Sequence, residues 1–173
     1  MANSGADTDV AGALWGAAPR FSPPPPGAVA GLSELWRDVE DATAERGASC
    51  RACGRCCDFP RYGHVLFAAK VELDVCLAWA RETLALDRRF VRSRLDAGLC
   101  PFWEDGRCAV RPVRPLGCRL YFCSAPRHRV TETFCETARH RLADLSSRCA
   151  VRWWYGPALG YLSGNLPSLI GPS

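Results

Sequence analysis

The apolar positions of the chain recur mainly at helical spacing. Leu32, Leu35, Trp36 and Val39 fall at i, i+3, i+4 and i+7, the single stripe of an amphipathic helix. Ser33 is placed to cap its start and Gly47 to end it. The opposite face carries Glu34, Asp38, Glu40, Asp41 and Glu45, a solvated surface. Residues 70–80 predict a second helix, with Val71, Val75 and Leu77 or Ala78 inward. Residues 84–95 predict a third, stopped at Gly98. Residues 131–149 predict a longer one, with Phe134, Ala138, Leu142 and Leu145 on its buried stripe. The run His64-Val65-Leu66-Phe67 reads as a short strand. Trp153-Trp154-Tyr155 reads as a last strand, broken by Gly156-Pro157. Glu104-Asp105-Gly106 is a turn between two short extended pieces. No internal repeat is present.

The expected fold is α+β: a small, α-rich single domain with short strands and irregular cysteine loops stapled by metal. It spans residues 32–173. Residues 1–31 read as a disordered, proline-rich leader, because Pro23 to Pro26 cannot donate backbone hydrogen bonds and favour an extended rod. The rod is a spacer, or a docking motif for a partner's aromatic groove.

Composition narrows the class. No apolar run in the 173 residues approaches the roughly 20 that a membrane helix needs. The first ten residues carry Asp7 and Asp9 and no Lys or Arg, which argues against a secretory signal. The expected compartment is therefore the cytoplasm, where 11 cysteines point to metal ligands or redox chemistry before disulfides. Charge is uneven: residues 1–49 carry −4 and residues 50–173 carry +8. A basic aromatic surface around Arg127, His128, Arg129, Arg139, Arg141, Arg152, Trp153 and Trp154 is conceivable for nucleic acid, but acids are interspersed and that reading is disfavoured. No phosphate loop, nucleophile elbow or dinucleotide fingerprint occurs.

The cysteines fall in two groups. Cys50, Cys53, Cys56 and Cys57 form a C-x2-C-x2-C-C run, in which a short loop turns several sulfurs to one centre. Gly54 permits a positive φ and a close approach to a metal or sulfide. Arg51, Arg55 and Arg61 offset thiolate charge. Cys100, Cys108, Cys118 and Cys123 follow, with seven, nine and four residues between them. Zinc prefers tetrahedral sets from paired C-x2-C knuckles, which the second group lacks. The first run followed by Cys100-Pro101 is closer to the spacing of a [4Fe–4S] cluster. An iron–sulfur centre is the first expectation, and a zinc or iron ion the second. Arg114 and Arg119 flank Cys118 and are read as support, donating to sulfur or to nearby carbonyls. Glu104 and Asp105 belong to a turn. Cys76, Cys135 and Cys149 read as small buried hydrophobes. His140 is a weaker candidate as ligand or base.

Taken in order, Cys50-x-x-Cys53-Gly54-x-Cys56-Cys57, Cys100-Pro101-Phe102, Cys108 and Arg114-Pro115-Leu116-Gly117-Cys118-Arg119-x-Tyr121-Phe122-Cys123 resemble the bacterial cysteine-cluster family, the CxxCxxCC or YkgJ-type zinc- or iron-chelating domains. The resemblance covers residues 47–125. It departs from the usual pattern at Trp103, where Leu is commoner, and at Arg111, where Tyr or His is commoner. It implies a small metal-binding domain, often labelled an iron–sulfur oxidoreductase, with electron transfer, metal handling or maturation of a partner as its role. Flagellin lysine N-methylases carry a similar cluster, so an enzyme with a protein substrate is the alternative. A structural zinc module that binds a protein partner is the third reading.

Overall fold

The computed structural model describes residues 17–48, 50, 54–120 and 131–170. Its architecture is α+β, with helices around two small antiparallel sheets. Helix α1 (Pro26–Glu45) buries Leu32, Leu35, Trp36 and Val39, the predicted stripe. It begins seven residues before the predicted cap. Pro25 is extended and Pro26 occupies the first turn, where a missing N–H costs nothing. Ser33 therefore lies inside the helix, its hydroxyl donating back to the Val29 carbonyl at 2.8 Å. Gly47, at φ 67°, ends the helix as expected.

The disordered-leader expectation fails for residues 17–31; residues 1–16 lie outside the described residues. The stretch before α1 is a strap held to the body. Asn165 accepts from the Phe21 N–H at 2.7 Å and donates to the Pro19 carbonyl at 3.0 Å. Phe21 packs against the core. Ser22 accepts from Lys70 Nζ at 2.8 Å. Composition suggested a free rod; hydrogen bonds from far along the chain override it. Asn165→Ala should release this strap. The two hydrogen bonds lost are worth about 1 kcal/mol each, so tryptic cutting after Arg20 should quicken roughly 30-fold, read by mass spectrometry.

Helix α2 (Phe59–Tyr62) is a single turn, opened by Asp58 accepting from the Arg61 N–H. Strand β1 (Phe67–Ala69) leads directly into α3 (Lys70–Thr83), the central helix. Burial there includes the predicted Val71, Val75 and Leu77, but also Lys70, Glu72 and Asp74. Buried charges must be paired. Lys70 and Asp74 form an ion pair, and the Tyr161 hydroxyl donates to Asp74.

Helix α4 (Arg88–Asp96) starts on the Asp87 carboxylate, which accepts from the Phe90 N–H at 2.7 Å. It begins four residues later than its periodicity suggested. Strands β2 (Trp103–Glu104) and β3 (Arg107–Cys108) form the predicted hairpin, with Trp103 opposite Cys108. Asp105 and Gly106 both take positive φ, as a tight two-residue hairpin turn requires. Helix α5 (Leu116–Leu120) follows, and then α6 (Glu132–Arg148), capped by the Thr131 hydroxyl. Ala138, Leu142 and Leu145 of α6 are buried, and the helix packs on α1.

Strand β4 (Tyr155–Pro157) pairs with β1, Phe67 opposite Pro157 and Ala69 opposite Tyr155. Both predicted strands are thus displaced towards their C-terminal ends. Gly156-Pro157 belongs to the strand rather than breaking it, because this sheet has two strands among the described residues and Pro157 sits at its end. Helices α7 (Ala158–Gly164) and α8 (Leu166–Ile170) close the fold against α3.

Candidate metal centre

Six cysteines from separate parts of the chain line one internal cavity: Cys56, Cys57, Cys76, Cys100, Cys108 and Cys118. Its volume is about 30 Å³, and the rest of its wall is mainly apolar, including Phe59, Leu73, Phe102, Val110 and Leu162. The local chain explains the convergence. Gly54, at φ 70°, turns the backbone into a 3-10 turn over Arg55–Cys57, so that adjacent Cys56 and Cys57 both reach the cavity. The Cys100 N–H donates to the Cys57 carbonyl at 3.0 Å, tying the second cysteine group to the first. The hairpin brings in Cys108, and α5 brings in Cys118. Gly117 lets α5 approach β1; a Cβ there would lie 2.8 Å from Leu66 and 3.0 Å from the Phe67 carbonyl.

Gly54 takes the positive φ expected of it, and its close neighbour is the Trp103 indole. A Cβ on Gly54 would stand 2.0 Å from Trp103 Nε1 and 2.9 Å from the Gly106 carbonyl. The indole packs there with the Arg94 guanidinium 4.6 Å over its ring. Gly54→Ala should therefore destabilise the chain by about 1–2 kcal/mol from the left-handed backbone alone, with the indole clash added, as measured by urea unfolding.

The thiols interact with one another. The neighbouring Cys57 thiol, then burial, pushes the Cys56 thiol up. The Cys100 thiol and burial push up Cys57. Burial raises Cys108 and Cys118, with neighbouring sulfurs adding to it. These four thiols are thus protonated at neutral pH.

Cys50 stands apart, in an open basin of about 560 Å³ lined by Glu40, Arg111, Arg114 and Arg119. Arg111 Nη1 donates to its sulfur at 3.5 Å, and Arg114, in the same basin, pairs with Glu40 at 3.3 Å. Beside it is Arg119. It donates to the Arg114 carbonyl at 2.9 Å and the Pro112 carbonyl at 2.8 Å, and pairs with Glu40. The contact from Arg111 was not anticipated. Its sole signal was a departure from the family pattern beside the cluster.

A second opening, of about 280 Å³, reaches Cys56 and Cys118 past His64, Phe67 and Tyr155. His140 is exposed on α6 and lines none of these spaces. Arg139 pairs with Glu136 and Arg141 with Asp38, so two members of the basic surface are already neutralised. Cys53, Cys123 and residues 127–129 lie outside the described residues.

Glu72 was also missed. It is fully buried, and its carboxylate accepts from the Ala69 N–H at 3.1 Å and the Leu116 N–H at 2.5 Å. It thereby fixes the start of α3 and the start of the helix carrying Cys118. The available signal was an acid on the apolar stripe, one turn before Cys76.

Among the described residues, no group of three or more His, Cys, Asp or Glu side chains stands in a metal-holding arrangement. The sulfurs line a shared space rather than meeting at a point. The donor chemistry nonetheless fits a soft or borderline cation: the cavity wall offers thiols and no carboxylate. No family model, curated protein or solved structure gives a significant match to the chain. The family resemblance therefore rests on the cysteine motif alone.

Proposed function

We propose that this chain is a cysteine-thiolate metal-binding protein of the YkgJ-like kind, holding an iron–sulfur centre that serves electron transfer or metal handling for a protein partner in the cytoplasm. One observation carries the reading: six cysteines, spread from residue 56 to residue 118, share the wall of one apolar cavity. Five of them belong to the two-part motif. Their number exceeds the four that a single tetrahedral ion takes, which favours a polynuclear centre. Cys56, Cys57, Cys100, Cys108 and Cys118 would hold it, with Cys53 and Cys123 as further sequence candidates and Cys50 at the arginine basin. When bound, the centre supplies one-electron chemistry at a potential tuned by burial and hydrogen bonds to sulfur. Arg111 and Arg114 offset the thiolate charge at Cys50.

A second reading, one zinc or iron ion, is favoured by the size of the cavity, about 30 Å³. The enzyme alternative draws no support from His140, which faces solvent.

Anaerobic purification of the full chain, with metal and acid-labile sulfide analysis, tests the proposal. Iron and sulfide in equal amounts with broad visible absorption is the expected result. A colourless protein with stoichiometric zinc replaces the first reading by the second. A metal-free protein that takes up none of these overturns both. Loading exchanges thiol protons for a cation, so it should acidify a weakly buffered solution and weaken as pH falls.

A further inference from the structure

We propose that Cys76 is a ligand of this same centre, the thiol that closes its deep side. The inference rests on the metal-binding reading above. Sequence alone gave Cys76 no such part. It lies outside the two-part motif, in the middle of a helix, and reads as a packing residue. The structure puts it on the wall of the thiol-lined cavity. Cys76 is 1% exposed, and it lines the cavity together with five motif cysteines.

Helix α3 meets the cavity through two residues three apart, Leu73 and Cys76, so one face of the helix forms that wall. Cys108 of the hairpin lines the same cavity as Cys76. One turn earlier, Glu72 holds the Leu116 N–H and hence the start of α5, the helix of Cys118. The central helix thus supplies a thiol to the cavity and, from the adjacent turn, fixes the element that supplies another.

A packing role alone asks only for a small apolar group, which Ala or Val provides. A thiol in a wall already carrying five others adds a soft donor to the same space. Cys135 makes the contrast. It is half-buried on α6 and lines none of the three spaces described above.

The test uses the full chain, stripped of metal and reloaded with cobalt(II). Thiolate-to-cobalt charge-transfer absorption counts the sulfurs bound. Cys76→Ser and Cys76→Ala should each lose one thiolate's share of that intensity and bind cobalt roughly tenfold or more weakly. Cys135→Ser should match the parent. The alanine variant keeps the site apolar, so it reports if serine disturbs the fold; far-ultraviolet circular dichroism of the metal-free chains checks both. Parent-like intensity and affinity in the Cys76 variants overturn the inference and leave the metal reading standing. A parent chain with no thiolate–cobalt absorption overturns the metal reading and this inference with it.

Discussion

Cys118→Ser should leave the purified chain depleted of metal, with affinity lowered by about 10- to 100-fold or more. Cys118 is carried by an anchored helix. Its helix is pinned at one end by Glu72 and packed on β1 through Gly117. Its sulfur borders both the internal cavity and the opening past His64. Serine keeps the size of the side chain but offers a hard, neutral oxygen in place of a soft thiolate. A bound metal stabilises the folded chain by mass action, so the melting temperature of the parent should rise on metal addition and that of the variant should barely respond. Parallel metal analysis and thermal unfolding check both halves. A variant that loads and melts like the parent removes Cys118 from the centre.

Glu72→Ala should cost the metal-free chain about 2–6 kcal/mol in urea unfolding, because it leaves two buried backbone donors unpaired at about 1–3 kcal/mol each. Glu72→Gln retains one acceptor and should lose about half as much. The carboxyl also gives stability a pH dependence. Burial holds its folded-state pKa above the unfolded value, against the opposing pull of the Leu116 and Ala69 N–H groups. The folded chain therefore keeps the proton longer than the unfolded chain. Stability from this group is full below the ordinary carboxylate range and declines as pH rises towards the folded value. The glutamine variant should flatten that part of the profile.

Much of the scaffold was legible in the sequence because it follows local rules. The stripe of Leu32, Leu35, Trp36 and Val39, the stop at Gly47 and the turn at Asp105-Gly106 are all set by neighbours along the chain. Several of the errors share one cause, which is partners distant in sequence. Pro19 to Ser22 look free until Asn165 and Lys70 are seen to bind them. Strand β4 extends to Pro157 because β1, some ninety positions earlier, pairs with it. The candidate site divides in the same way. Spacing brought out the motif cysteines, since ligand runs are local. It passed over Cys76, Glu72 and Arg111, whose neighbours are assembled only in three dimensions. Lys70 and Asp74 look like ordinary surface residues until Tyr161 and Ser22 close over them.

The strap also sets an order of events during synthesis. Phe21 and Asn165 are separated by 144 positions. At the usual pace of translation, that interval takes about 7–30 s. Every cysteine in the chain precedes Asn165 and so is made before this clasp has its second half. For the later part of that interval the thiols belong to a nascent chain that lacks its final fastening. On the proposed metal-binding reading, the cavity is therefore open to loading while the ribosome is still at work, before the N-terminal strap locks down.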